Sequence, residues 1–208
     1  MAAQMLAREA PARWWVDVAP EIRRWSRDEY QRAGELGIFG PAERLELIAG
    51  EVVRKVTPQR SMHAAAVQRV NEAFQRYVGP ARSVRVQLPL GLGDDSEPEP
   101  DIAVVKRVPD GHASAHPTTA LLIVEVSDTT LRFDRMTKAS LYAREGIADY
   151  RILNLPDRVL ECHRAPAPMA DQPFGYHYRS ITRHTEDEQV TPLFGGPPVL
   201  VRDLLPLV

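Results

Sequence analysis

Ala120-Leu-Leu-Ile-Val-Glu-Val126 is an apolar run broken by one charged residue, Glu125, and followed by Ser127-Asp-Thr-Thr130. A short run of this composition, bounded by a polar cluster, reads as a buried strand that ends in a turn. An ionised carboxylate is expensive to bury without compensation, so Glu125 calls for a cation or several donors beside it. A second carboxylate, Asp101, heads another strand-like run, Pro100-Asp-Ile-Ala-Val-Val105. Two carboxylates at the ends of buried strands point to a metal site built from hard oxygen ligands.

Downstream, residues 133–145 read as a helix and place Asp134, Lys138 and Tyr142 at successive i+4 positions on one stripe. The lysine can then face the carboxylates. The competing reading is a surface ion pair between Asp134 and Lys138, which needs no function.

Moving outward, strand patterns recur at residues 83–88, 101–105 and 121–126, and again at Tyr150-Arg-Ile-Leu153 beyond the helix. Upstream, Val67, Val70, Phe74 and Tyr77 follow helical spacing over residues 61–78, with His63 one turn earlier on the same face. There, a hydrogen-bonded structural histidine competes with a ligand to metal or phosphate. Arg44-Leu-Glu-Leu-Ile48, the turn Ala49-Gly50 and Glu51-Val-Val-Arg54 form a hairpin that carries Glu46 and Glu51 in its two arms.

Ser26-Arg-Asp-Glu29 has the spacing of a capping box and opens a short helix that should stop near Gly37. Residues 11–25 hold Trp14, Trp15 and Trp25 and read as an arm that packs on something. Residues 159–163 and 176–181 are expected as edge strands, with a proline-rich loop over residues 166–173 between them. Together these signals predict an α/β (α+β) fold, a mixed central sheet flanked by helices. The division is an N-terminal arm with a short helix over 1–40 and a single domain over 41–208.

Between the strands expected at 83–88 and 101–105 lies Asp94-Asp-Ser-Glu-Pro-Glu-Pro-Asp101, expected as an irregular, solvated acidic loop apart from Asp101. It lacks the glycine and distal glutamate spacing of a helix-loop-helix calcium site.

Composition limits the classes of function. With 208 residues, 44% hydrophobic and 26% charged, the chain has the makings of one globular domain. No stretch reaches the roughly 20 apolar residues of a membrane span. The sequence Met1-Ala-Ala-Gln-Met-Leu-Ala-Arg-Glu-Ala10 has no signal-peptide apolar segment, so a cytoplasmic location is expected. A lone cysteine, Cys162, excludes an internal disulfide and any cysteine-based zinc cluster, and reads as structural. A net charge of −2 gives no global basic footprint, so nucleic-acid binding would need a local patch. Arg76, Arg82 and Arg85 are candidates for one, against the plainer reading of a solvated face.

Pro100-Asp101, Glu125-Val-Ser127 and Lys138 together resemble the PD-(D/E)XK superfamily of metal-dependent nucleases. More narrowly, the chain resembles the Uma-two family of restriction-endonuclease-like proteins. The resemblance runs from Glu46-Leu-Ile48 and Gly50-Glu51 through His63, Pro100-Asp101 and Glu125-Val126 to Lys138 and Tyr142. Two departures stand out: the usual extra residue between Glu-Val and Ser is absent, and Arg151 and Asn154 replace a typical tryptophan and aspartate. Ser127 occupies the place where the superfamily usually has its lysine, a role that Lys138 would take from the helix.

The resemblance implies phosphodiester hydrolysis with Mg2+ or Mn2+. Asp101, Glu125 and the Val126 carbonyl would bind the metal, Glu46 could add a ligand, and Lys138 would orient or deprotonate the attacking water. DNA would be the substrate, no membrane partner is expected, and a homodimer is the simplest way to cut two strands. The alternative is a relative that keeps the fold and no longer cuts, serving as a binding or regulatory module.

Overall fold

The computed structural model describes residues 22–55 and 60–207, so Trp14 and Trp15 of the expected arm lie outside the described residues. Helix α1 (Arg27–Glu35) begins at the capping box as expected: the Ser26 side chain accepts from Glu29 N, and the Glu29 carboxylate accepts from Ser26 N. It ends at Leu36, and Gly37 turns away with φ +68°. Strands β1 (Leu45–Ile48) and β2 (Glu51–Arg54) form the expected hairpin, whose turn puts both Ala49 and Gly50 at positive φ. Helix α2 (Ser61–Tyr77) follows.

The remaining core strands are β3 (Arg82–Val86), β4 (Ile102–Lys106), β5 (Leu122–Ser127), β6 (Asp149–Asn154), β7 (Val159–Pro168) and β8 (Tyr176–His184). They form one mixed sheet in the order β3-β4-β5-β6-β7-β8. All neighbours are antiparallel except β5 and β6, which run parallel. Parallel neighbours need a crossover, and the helical segment after β5 supplies it.

Two-residue alternation distributes the strands between two cores. Ile102, Val104, Leu122, Val124 and Val126 face α2 and a C-terminal cover made by β9 (Gln189–Val190), β10 (Val199–Leu200) and a short helix. Ala103, Val105, Ile123 and Ile152 face the crossover helix. Glu125 therefore shares the crossover side with Ile123, and Asp101 shares it with Ala103. That parity decides which helix can reach the carboxylates.

Three expectations change. The single helix over 133–145 is instead three pieces: α3 (Leu131–Phe133), a π-helical turn (Asp134–Lys138) and α4 (Ala139–Arg144). Strand β7 lies between β6 and β8 and is not an edge, and it runs on through Pro168 in place of the expected loop. Pairing with β6 ends at Arg164, so Pro166 and Pro168 sit where β7 has a single neighbour and fewer ladder donors are required.

The acidic loop is solvated only in part: Asp94 is exposed and Asp95 and Glu99 are half-buried, but the rest turns inward. Ser96 and Glu97 are buried, Glu97 N donates to Leu47 O at 2.7 Å and Gly50 N donates to Asp95 O at 2.7 Å. Arg27 and Gln31 of α1 donate to the Glu97 carboxylate, and Arg144 of α4 is bidentate on Asp95. Basic partners from distant elements turn this acidic stretch into the fastening between α1, the hairpin and α4. Among the described residues, no helix is long and apolar enough to cross a membrane.

Candidate active site

The β4–β5 register pairs Ile102 with Val124, which sets Asp101 beside Glu125 and Val126 at the end of β5. Asp101 N donates to Glu125 Oε2 at 3.2 Å, and Val126 N donates to Asp101 Oδ2 at 2.9 Å. The two carboxylates are thus locked together, Glu125 by the Asp101 backbone and Asp101 by the backbone of Val126, with Asp101 8% and Glu125 6% exposed.

Lys138 Nζ comes to them from the end of the π turn, 3.4 Å from Glu125 Oε1 and 2.7 Å from Glu46 Oε2. One α-helical turn later, Tyr142 OH donates to Glu125 Oε1 at 2.8 Å. Glu46, on β1, also takes Lys55 Nζ at 2.6 Å and Glu99 N at 2.8 Å on its other oxygen. Glu46 is therefore engaged by two lysines. The other hairpin glutamate, Glu51, is exposed and pairs with Arg24, away from the site.

Asp101 has two further supports. His63 Nε2, from the first turn of α2, lies 3.2 Å from Asp101 Oδ2, and Gln87 Nε2 donates to Asp101 Oδ1 at 3.0 Å. Gln87 holds φ +49°, a conformation that L residues seldom adopt, and its N–H donates to Asp101 O at 3.1 Å. Asp134, from the start of the π turn, is buried and accepts from Thr130 Oγ1 at 2.6 Å.

Burial and mutual repulsion set the protonation of the cluster. Burial pushes Glu125 up to about 7, with Asp101, Asp134 and Glu46 adding to the rise and Lys138 opposing it. Burial raises Asp134 as well. For Asp101 burial acts in the same sense but loses to the hydrogen bond and charge of His63, which hold its carboxyl below the usual range. Burial works against the Lys138 ammonium too, yet Glu46 and Glu125 keep it above the ordinary lysine range.

These groups form the floor of a cavity of about 270 Å³ between the hairpin, the start of α2 and the crossover helix. Arg44, Arg54, Lys55 and Arg60 stand among its lining residues, so a basic rim surrounds an acidic floor. Arg82 and Arg85, by contrast, donate to backbone carbonyls of Val78, Phe194 and Pro89, and form no part of this rim.

A hard divalent cation fits this floor, because Asp101 and Glu125 offer adjacent carboxylate oxygens, and carboxylates buried this deeply are stabilised in their ionised form by a cation. Among the described residues, no three His, Cys, Asp or Glu side chains converge on one metal position. Water, backbone or substrate oxygens would complete the shell, as magnesium prefers.

Of the residues singled out in the sequence, the structure brings together Asp101, Glu125, Lys138, Glu46, His63 and Tyr142. Sequence reading missed Lys55, Gln87 and the Arg44/Arg54/Arg60 rim. Lys55 directly follows the hairpin and Gln87 lies next to the last residue of an expected strand, but nothing in either pattern tells which acid they meet.

A mixed sheet with crossover and flanking helices, carrying paired strand-end carboxylates and a helix lysine, defines a restriction-endonuclease-like fold. The family model Uma2, described as "Putative restriction endonuclease", matches residues 27–196, and the chain belongs to this (Uma-two) family. The fold is similar to a solved structure from Anabaena variabilis ATCC 29413, described as "a putative nuclease belonging to DUF820". The TM-score is 0.63 at 16% identity, covering 86% of this chain and 97% of that one. No curated protein matches the chain.

Proposed function

We propose that this protein is a metal-dependent endonuclease that hydrolyses phosphodiester bonds in DNA. The observation that carries the reading is the interlocked Asp101–Glu125 pair with Lys138 Nζ 3.4 Å from Glu125, beneath a rim of arginines. Family membership supports a nuclease, and the rim supplies the local basic patch that a chain of net charge −2 needs to meet a polyanion.

Asp101 and Glu125 would hold Mg2+ or Mn2+, and Glu46 would join them only by releasing Lys138. Such an ion, when bound, supplies a Lewis acid for a phosphoryl oxygen and an activated water. Lys138, kept charged by two flanking carboxylates, would orient that water and stabilise negative charge as it develops. His63 and Gln87 would hold Asp101 in place, and Tyr142 would hold Glu125. The basic rim would grip the flanking phosphates. Cutting both strands most simply uses two sites related by two-fold symmetry, so a homodimer is proposed, to be checked by light scattering on the purified protein.

The test is cleavage of supercoiled plasmid, single-stranded DNA and RNA with Mg2+ or Mn2+, comparing the parent with Asp101→Ala and Lys138→Ala. Metal-dependent nicking that both variants lose supports the reading. No cleavage of any substrate with either ion overturns it in favour of a binding or regulatory protein on a nuclease fold.

A further inference from the structure

The π-helical turn at Asp134–Lys138 is the one irregularity in the crossover segment, and it carries two of the buried charged side chains of the site. A π turn is rarer than an α turn, is found frequently at functional sites, and persists where its surroundings compensate it. Here the compensation is specific. Tyr150 OH, on β6, donates to Asp134 O at 3.0 Å. His177 Nε2, on β8, donates to Arg135 O at 3.0 Å. Glu161, on β7, takes the Arg135 guanidinium in a two-pronged pair, with Nε at 2.9 Å, and is itself held by Asn154 Nδ2 at 3.1 Å. Three neighbouring strands thus grip consecutive residues of the turn from below, and Tyr150, Glu161 and His177 are all buried.

The turn has a geometric consequence. At about 100° per residue, an uninterrupted α-helix would rotate Tyr142 about 80° away from Asp134 around the axis. The wider turn winds less per residue and takes up most of that drift. Asp134 and Lys138 then both line the cavity while Tyr142 still reaches Glu125.

We propose that Tyr150, Glu161 and His177 are positioning residues, which clamp the π turn and so fix Lys138 between Glu46 and Glu125. The catalytic consequence rests on the nuclease reading; the placement of Lys138 does not. Tyr150→Phe and Glu161→Gln remove single prongs with little change of shape. Each is expected to lower kcat by about tenfold or more, as misplacement of a reacting group by a fraction of an ångström does, with KM for a labelled oligonucleotide little changed. His177→Leu behaves likewise, whereas His177→Gln, which retains an N–H donor, recovers most of the rate.

A second readout needs no activity. Acylation of the purified protein with acetic anhydride, followed by peptide mass spectrometry, reports Lys138 against the exposed Lys106 of the same chain. Lys138 is protected in the parent and becomes reactive in Tyr150→Phe and Glu161→Gln at temperatures where both remain folded. If Lys138 stays as protected as in the parent and kcat is unchanged, the clamp is overturned. If the parent cleaves nothing, the nuclease reading falls and Lys138 protection alone decides the positioning role.

Discussion

Lys138 Nζ and Glu46 Oε2 lie 2.7 Å apart, both almost fully buried, and join the crossover helix to the N-terminal hairpin across the floor of the cavity. Removing one member of such a pair leaves the other as an uncompensated buried charge. Glu46→Gln is therefore expected to cost about 3–5 kcal/mol in urea unfolding. A loss below about 1 kcal/mol would mean that Glu125 alone satisfies the ammonium.

The site also makes stability depend on pH. Burial raises Glu125 from its ordinary value to about 7, so the folded state binds its proton more readily than the unfolded chain. The sign follows: native protonation favours folding at low pH, and that stability is lost as pH rises from about 4.5 through 7. His63 is raised too, since Asp101 outweighs the burial that would lower it, and its contribution is lost in the same direction as pH rises. Metal-free protein in EDTA should lose a few kcal/mol at most between pH 5 and 8, at about 1.4 kcal/mol for each pH unit that separates the folded and unfolded titrations. Urea titrations across that range should show a shallower slope in Glu125→Gln, and an unchanged slope would remove Glu125 as its source.

Gln87 carries a left-handed backbone and one of the hydrogen bonds to Asp101. Gln87→Gly relieves about 1 kcal/mol of backbone strain while giving up a hydrogen bond of similar worth. Thermal stability should hardly move, whereas activity should fall because Asp101 loses a support. Equal activity in the two proteins would show that His63 and Val126 suffice.

The rim predicts salt-sensitive binding. Arg54→Ala and Arg60→Ala each remove a guanidinium that is more than half exposed at the mouth of the cavity. Each should weaken DNA binding whatever the sequence, and reduce the slope of log K against log salt by about 0.9 for every phosphate left without its cation. Fluorescence anisotropy with Asp101→Ala as background separates this binding from cleavage. Slopes that match the unsubstituted rim would place the phosphates elsewhere.

Much of the fold is legible in the chain because it rests on local pattern. The capping box at Ser26, the Ala49-Gly50 turn, the apolar stripe of α2 and the strands around Asp101 and Glu125 all follow from propensity and periodicity. The acidic stretch at 95–97 misled for a physical reason. Charge density reads as solvation, and whether an acid stays in water depends on partners such as Arg27, Gln31 and Arg144, which lie far away in the sequence. Likewise the prolines of β7 suggested a loop, whereas the end of the β6 ladder leaves room for them.

By itself, then, the sequence determined which residues carry charge into apolar strands, and the two-residue period that puts Asp101 and Glu125 on one side of the sheet. Only the tertiary structure decided what those carboxylates meet. Glu46, His63, Gln87 and Lys138 come from four separate segments of the chain, and their convergence depends on strand order, hairpin docking and the π turn. A π turn has no clear signature in residue pattern, because it is favoured by bonds from Tyr150, Glu161 and His177 on three other strands. Local sequence fixes periodicity, while long-range contacts fix the one-residue register on which the position of Lys138 depends.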